Sequence, residues 1–305
     1  MAFVEETIHI SVKDTSSPLS DKVRKPPPKE SAIPVPFSYT PSDDGIDENL
    51  LIFLHGLGDT HIPFAKLGRQ LKLPQTATLS IRATEKIPFL YEEAYQWYTS
   101  FDGFGELIER PDPTSAMILL SAVIKHLVRD CEWTMNRIHL FGFGQGGSVA
   151  VQYAIHHWND LLLQQQTADP KLAVNVPTSS NTNTPSGPSV DTRKGSPVAI
   201  ISSNSLASVV SVSGPLLSYP TLSQKCPTPV AISYRLPPAE EALTQSQLTE
   251  FKKAFTRVEE VKLSDKRGGM PASRGEWEGI MKFWSDVLEK RRGEGLFEVM
   301  SGTPK

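Results

Sequence analysis

The stretch Arg137-Ile138-His139-Leu140-Phe141-Gly142-Phe143-Gly144-Gln145-Gly146-Gly147-Ser148 decides the fold. Its first half, Ile138 to Phe143, reads as a short strand. Val149, Tyr153 and their neighbours then read as a helix reaching about Trp158. Between the two lies a turn dense in glycine, so a strand passes almost directly into a helix. The same alternation continues outward. Leu50 to Leu54 is an unbroken apolar run, as in a central parallel strand buried on both faces. Ala116, Leu120, Val123 and Leu127 recur at helical spacing before a turn at Asn136, and Ser208 to Val212 and Val230 to Tyr234 read as further strands. Ser273 with Glu276 forms a capping-box signature ahead of an apolar face made by Trp277, Ile280, Met281, Trp284 and Leu288. Strand and helix in succession predict an α/β protein: an open, mostly parallel sheet with helices on both faces.

The 305 residues carry 31 Lys and Arg against 34 Asp and Glu, a balance without the basic footprint of a nucleic-acid-binding protein. The one basic run, at Lys290-Arg291-Arg292, falls where the last helix should end, and its dipole favours cations there. Two cysteines, Cys131 and Cys226, supply neither a disulfide framework nor a zinc motif, so no metal or cofactor is expected and a reducing compartment, the cytoplasm, is. No apolar run reaches membrane-spanning length, and residues 1–12 lack a secretory apolar stretch.

Proline divides the chain. Residues 1–45 are expected to hold a short strand (Ile8, Ile10, Val12) and a proline-rich flexible segment, and residues 46–292 the α/β domain. A Ser-, Thr-, Asn- and Pro-rich stretch at about 164–197 reads as a disordered insertion within that domain, because it buries too little apolar surface to offset its ordering entropy. Residues 293–305 form a tail.

The central turn has the context of a nucleophile elbow, Gly-x-Ser-x-Gly, in which small flanking residues let a strained serine project above the sheet. Here the pattern is Gly142-Phe143-Gly144-Gln145-Gly146, with Gly144 at the serine's place. The stretch resembles the phospholipase/carboxylesterase family of α/β-hydrolases that includes the acyl-protein thioesterases, whose usual form is Gly-Phe-Ser-Gln-Gly-Gly. Phe53-Leu54-His55-Gly56-Leu57-Gly58-Asp59-Thr60 is similar to that family's oxyanion loop, Ser211-Val212-Ser213-Gly214-Pro215-Leu216 to its next core strand, and residues 268–284 to its last loop and helix. The resemblance spans about residues 50–288 and implies the α/β-hydrolase fold.

A serine hydrolase of this fold takes its acid and then its histidine from loops after the serine. The seven histidines are His9, His55, His61, His126, His139, His156 and His157, so none follows the turn by more than thirteen residues. By the resemblance, the base position falls at Pro271 and the acid position at Pro238, with Glu240 and Glu241 nearby. The resemblance also makes the backbone N–H groups of Leu57 and Gln145 the oxyanion donors, which do not depend on side-chain identity. Ser148 reads as a small residue packed where helix meets sheet, His139 as structural, His156 and His157 as an interior-facing or capping pair, and His55 as a brace for its loop. Phe89, Tyr91, Tyr95, Trp97 and Tyr98 are placed to fill the cleft.

The expectation is a degenerate triad, and with it a thioesterase-like protein that binds an acyl or ester ligand, or a protein partner, without turning it over. The alternative is a carboxylic ester or palmitoyl-protein thioester hydrolase using another nucleophile.

Overall fold

Strand β2 (Asn49–Leu54) is buried at all six positions, and its alternation divides the interior. Leu50, Ile52 and Leu54 join one apolar cluster, while Leu51 and Phe53 join a second on the opposite face of the sheet. The protein is described by a computed structural model covering residues 24–88, 92–168, 204–239, 242–264 and 268–291.

Nine strands and five α-helices follow in chain order among the described residues: β1 (Phe37–Thr40), β2, α1 (His61–Leu71), β3 (Thr76–Ile81), β4 (Glu85–Lys86), β5 (Tyr95–Gln96), α2 (Thr114–Asp130), β6 (Ile138–Phe143), α3 (Gln145–Ala168), β7 (Ser208–Val212), β8 (Val230–Tyr234), α4 (Gln245–Ala254), β9 (Val258–Lys262) and α5 (Arg274–Val287). Seven strands form one sheet in the order β1-β3-β2-β6-β7-β8-β9. Within this sheet only the β1–β3 pairing is antiparallel, and β4 and β5 form a separate antiparallel pair. Residues of α2, α3 and α4 pack in the first cluster and residues of α1 and α5 in the second, so both faces are covered. This is the α/β-hydrolase fold.

From β2 the chain moves outward to β3, and from β6 it moves the other way to β7. The order therefore reverses between β2 and β6, the place where open α/β sheets leave a crevice at the carboxyl ends of their strands. The turn after β6 and the loop after β2 flank that crevice. At the opposite edge, Asn49 binds the backbone of Glu289 through both amide atoms, at 2.9 and 3.0 Å, and so fixes the end of the last helix to β2.

Some expectations are corrected. The proline-bounded residues 37–40, assigned to a flexible segment, form β1 and pair with β3, and Ile33 ahead of them is buried in the core. Helix α3 runs ten residues past Trp158 to Ala168, taking in the first residues of the expected insertion. At α5, Ser273 accepts from Glu276 N–H, but Glu276 turns its carboxylate to Ala272 N–H and Arg235 instead of completing the capping box. The reciprocal box is at α4, between Thr244 and Gln247. Ile8, Ile10 and Val12, residues 169–203, Glu240, Glu241 and the tail lie outside the described residues.

Candidate active site at the strand–helix turn

Gly144 is the only residue between β6 and α3. Its N–H donates to Val212 O at 2.8 Å, its carbonyl accepts from Ser148 N–H at 3.0 Å, and its φ is +51°. That left-handed value is the geometry of an elbow's apex, which glycine adopts without the strain another residue would bear. The flanking glycines are required by close approach. A Cβ on Gly142 would stand 2.1 Å from Gly146 O, and one on Gly146 would stand 2.4 Å from Leu54 O. At Gly144 a Cβ would meet no heavy atom within 4 Å. The apex therefore has room for a side chain that the sequence does not supply.

Neither Leu57 N–H nor Gln145 N–H meets an acceptor among the described residues, and Gln145 is the first residue of a 24-residue helix. Helix N-termini attract anions and carbonyl oxygens through unpaired N–H groups and the macrodipole. The side chain of Gln145 has a role not foreseen from sequence. Its Oε1 accepts from Trp97 N–H at 2.9 Å, and its Nε2 donates to Tyr98 O at 2.9 Å and to Ser100 Oγ at 2.7 Å. It holds residues 97–100 beside the turn.

His55 braces the facing loop. Its Nδ1–H donates to Gly56 O at 2.7 Å, and its Nε2 accepts from Ala83 N–H at 3.0 Å. With both nitrogens committed and the ring buried, desolvation pushes its pKa down to about 4. Trp97 donates from Nε1 to His55 O at 2.8 Å, its ring centroid 5.3 Å from the imidazole. His61, at the start of α1, is held below the usual histidine range by burial and by the charge of Arg82. His139 bonds Ser208 Oγ within the sheet. His156 pairs with Asp160 on the surface of α3, and His157 meets Asn204 O and stacks on Tyr153; neither caps the helix. Ser148 is buried one turn into α3.

The two prolines that the sequence resemblance assigns to the acid and base positions differ in their surroundings. Pro238 is exposed in the loop after β8, whereas Pro271 is buried and offers its carbonyl to Trp277 Nε1 at 3.0 Å. Between these loops lies an ion pair not foreseen from sequence. Arg235, fully buried at the end of β8, bonds Glu276 at 3.0 Å and donates to the carbonyls of Ser264 and Gly269. Tyr95, Trp97 and Tyr98 are core residues and do not fill the space at Gly144, while Phe89 and Tyr91 lie outside the described residues. A cavity of about 620 Å³ opens beyond Gly214, with Leu216, Leu217, Tyr219, Arg110, Glu109 and Glu250 in its wall. Among the described residues no group of three His, Cys, Asp or Glu could hold a metal ion, and no helix is long and apolar enough to cross a membrane.

The phospholipase/carboxylesterase family pattern matches residues 40–162, which include the loop after β2 and the turn after β6. An uncharacterised hydrolase of Mycosarcoma maydis is 32% identical over 258 residues, 84% of this chain and 82% of that protein. The chain belongs to the phospholipase/carboxylesterase family. A second uncharacterised hydrolase, from Schizosaccharomyces pombe, is 34% identical over 108 residues, 34% of this chain and 44% of its own length. Among solved structures, esterase PE8 superposes with a TM-score of 0.56 at 14% identity, covering 83% of this chain and all but 1% of its own. Acyl-protein thioesterase 2 of Zea mays gives 0.53 at 16%, covering 84% of this chain and 100% of its own. At these identities the structures share the fold with this chain. In the family's frame, this site offers backbone N–H donors and open space at the apex, with no hydroxyl there.

Proposed function

We propose that this member of the family is a non-catalytic binding module whose turn receives an acyl carbonyl or carboxylate oxygen. One observation carries the reading: the apex of the elbow is Gly144, with open space above it and prolines at the matched acid and base positions. A nucleophilic hydroxyl needs a base within hydrogen-bond reach, and a positioned base contributes roughly 10²–10⁴-fold to such reactions. Both are missing where the family pattern puts them. Unpaired N–H groups at Leu57 and Gln145 remain suited to hold an oxygen, since backbone donors survive side-chain replacement. The degenerate positions in this reading are Gly144, Pro238 and Pro271, and the two buried, unpaired cysteines fit a cytoplasmic setting.

A fluorophosphonate probe tests it: the full-length protein stays unlabelled while decanoate binding is detected by calorimetry. Stoichiometric labelling of any serine ends the proposal.

A second reading, hydrolysis through a different nucleophile, has one observation in its favour. Ser213, the residue after β7, also has a left-handed φ of +57°, and its buried hydroxyl has no hydrogen-bond partner. Turnover of nitrophenyl acetate by the wild type, abolished by Ser213→Ala, supports that reading; unchanged rates exclude it.

A further inference from the structure

Residues 100–108 form a small, internally fixed hairpin beside the turn. Ile108 N–H donates to Ser100 O at 2.8 Å and Asp102 N–H to Glu106 O at 2.9 Å, and Phe101 bridges Leu107. The Asp102 carboxylate closes the tip by accepting from the N–H groups of Phe104 and Glu106, at 2.8 and 2.9 Å. Ser100, at its base, is bonded to Gln145. This rigid frame holds Phe104, Leu107 and Phe101 in water, exposed by 94%, 70% and 48%. Single exposed apolar residues are ordinary, but three on one ordered turn are not.

The hairpin is acidic as well as apolar. Asp102, Glu106 and Glu109 lie on or beside it, Asp112 follows, and Arg110 is the one nearby cation in the same segment. Glu106 and Glu109 have no ion-pair partner among the described residues. Glu109 and Arg110 then enter the wall of the cavity that has Leu216, Leu217 and Tyr219 on its other side, and Tyr219 is itself exposed. The hairpin thus leads through Glu109 and Arg110 into the cavity wall, where Leu216, Leu217 and Tyr219 supply apolar surface and Glu109 and Glu250 supply carboxylates.

We propose that this hairpin and the adjoining cleft are a docking surface for a lysine- or arginine-bearing, apolar segment of a partner protein. The charge excludes an anionic membrane surface, which the carboxylates repel, and favours cations among apolar side chains. A preorganised loop adds little ordering cost on binding. The surface stands apart from chemistry at Gly144 and holds whether or not the turn is catalytic.

Fluorescence anisotropy on the full-length protein tests it, with a 12-residue peptide of alternating leucine and lysine as probe and a leucine–glutamate peptide as control. The leucine–lysine peptide should bind and the control should not. Phe104→Ser with Leu107→Ser should weaken binding about tenfold or more, as truncation of an apolar anchor does. Glu106→Gln with Glu109→Gln should weaken it less and flatten its salt dependence. These side chains are exposed, so the variants should keep the wild-type thermal midpoint. Equal binding of the two peptides, or wild-type affinity in the Phe104/Leu107 variant, overturns the proposal. So does a dimer in sedimentation, or binding to neutral phosphatidylcholine vesicles, that the same variant abolishes.

Discussion

Arg235 at the end of β8 and Glu276 in the first turn of α5 form an ion pair of 3.0 Å that ties the loop carrying Pro238 to the loop carrying Pro271. A buried guanidinium and a carboxylate connect the two loops, and backbone carbonyls from the second loop complete the guanidinium's partners. The link requires neither titration nor movement at the apex.

Removing one partner leaves the other charge buried, which for such pairs costs about 3–5 kcal/mol. Glu276→Gln should therefore lower stability by roughly 3 kcal/mol in urea denaturation, although Arg235 keeps its carbonyl partners. Hydrogen bonding from Ala272 N–H, then from Arg235, holds the Glu276 carboxyl below its usual range. A depressed carboxylate contributes stability above its unfolded pKa and loses it as pH falls through the folded one. The variant's stability should accordingly change less than the wild type's below about pH 4.5.

Gly144→Ser should fold, since its Cβ meets no atom within 4 Å, at a cost of about 1–2 kcal/mol for a left-handed φ in a non-glycine residue. It should not restore ester hydrolysis, because no base accompanies the new hydroxyl. Gly146→Ala is the contrast: its Cβ would stand 2.4 Å from a backbone oxygen, and soluble expression should fall sharply. A nitrophenyl ester assay and a thermal melt check both.

Histidines buried in neutral form make the fold acid-sensitive. His55 is pushed down to about 4 and His139 to about 3, both chiefly by desolvation. Their folded pKa values lie below the unfolded value, so the neutral rings contribute stability above pH 6.5 that declines as pH falls toward 4. For His55 a difference of this size corresponds to about 3 kcal/mol. Stability in urea should drop between pH 7 and pH 5, and His55→Asn should reduce that slope while also lowering stability at pH 7.

Gln145 makes three side-chain hydrogen bonds to residues 97–100. Gln145→Ala should cost about 1–3 kcal/mol, the range for stranding buried polar groups. Hydrogen exchange at the Trp97 amide should quicken, while the backbone N–H at position 145 stays in place.

Much of the fold was legible because periodicity survives without tertiary information. β6, β7 and β8 lie where the apolar runs place them, since strands buried on both faces must be apolar throughout. β1, β3, β9 and the helices α1 and α4 were not singled out. Two of these strands are sheet edges, and the polar residues in Val258–Lys262 obscure the strand signal. At the site, the glycines of the turn and the absence of any histidine after His157 could be read directly, but the pairing of Arg235 with Glu276 could not. They are 41 residues apart, and neither belongs to a local pattern linking it to the other.

Sequence alone determined that an elbow-like turn carries a hydrogen atom at its apex and that no histidine follows His157, because composition and order are complete before folding. Tertiary structure decided that the apex is open, that His55 has spent both ring nitrogens, and that an arginine–glutamate pair links the two proline-bearing loops. Those outcomes depend on atoms distant in sequence coming within van der Waals or hydrogen-bond range, a distance that residue spacing does not encode.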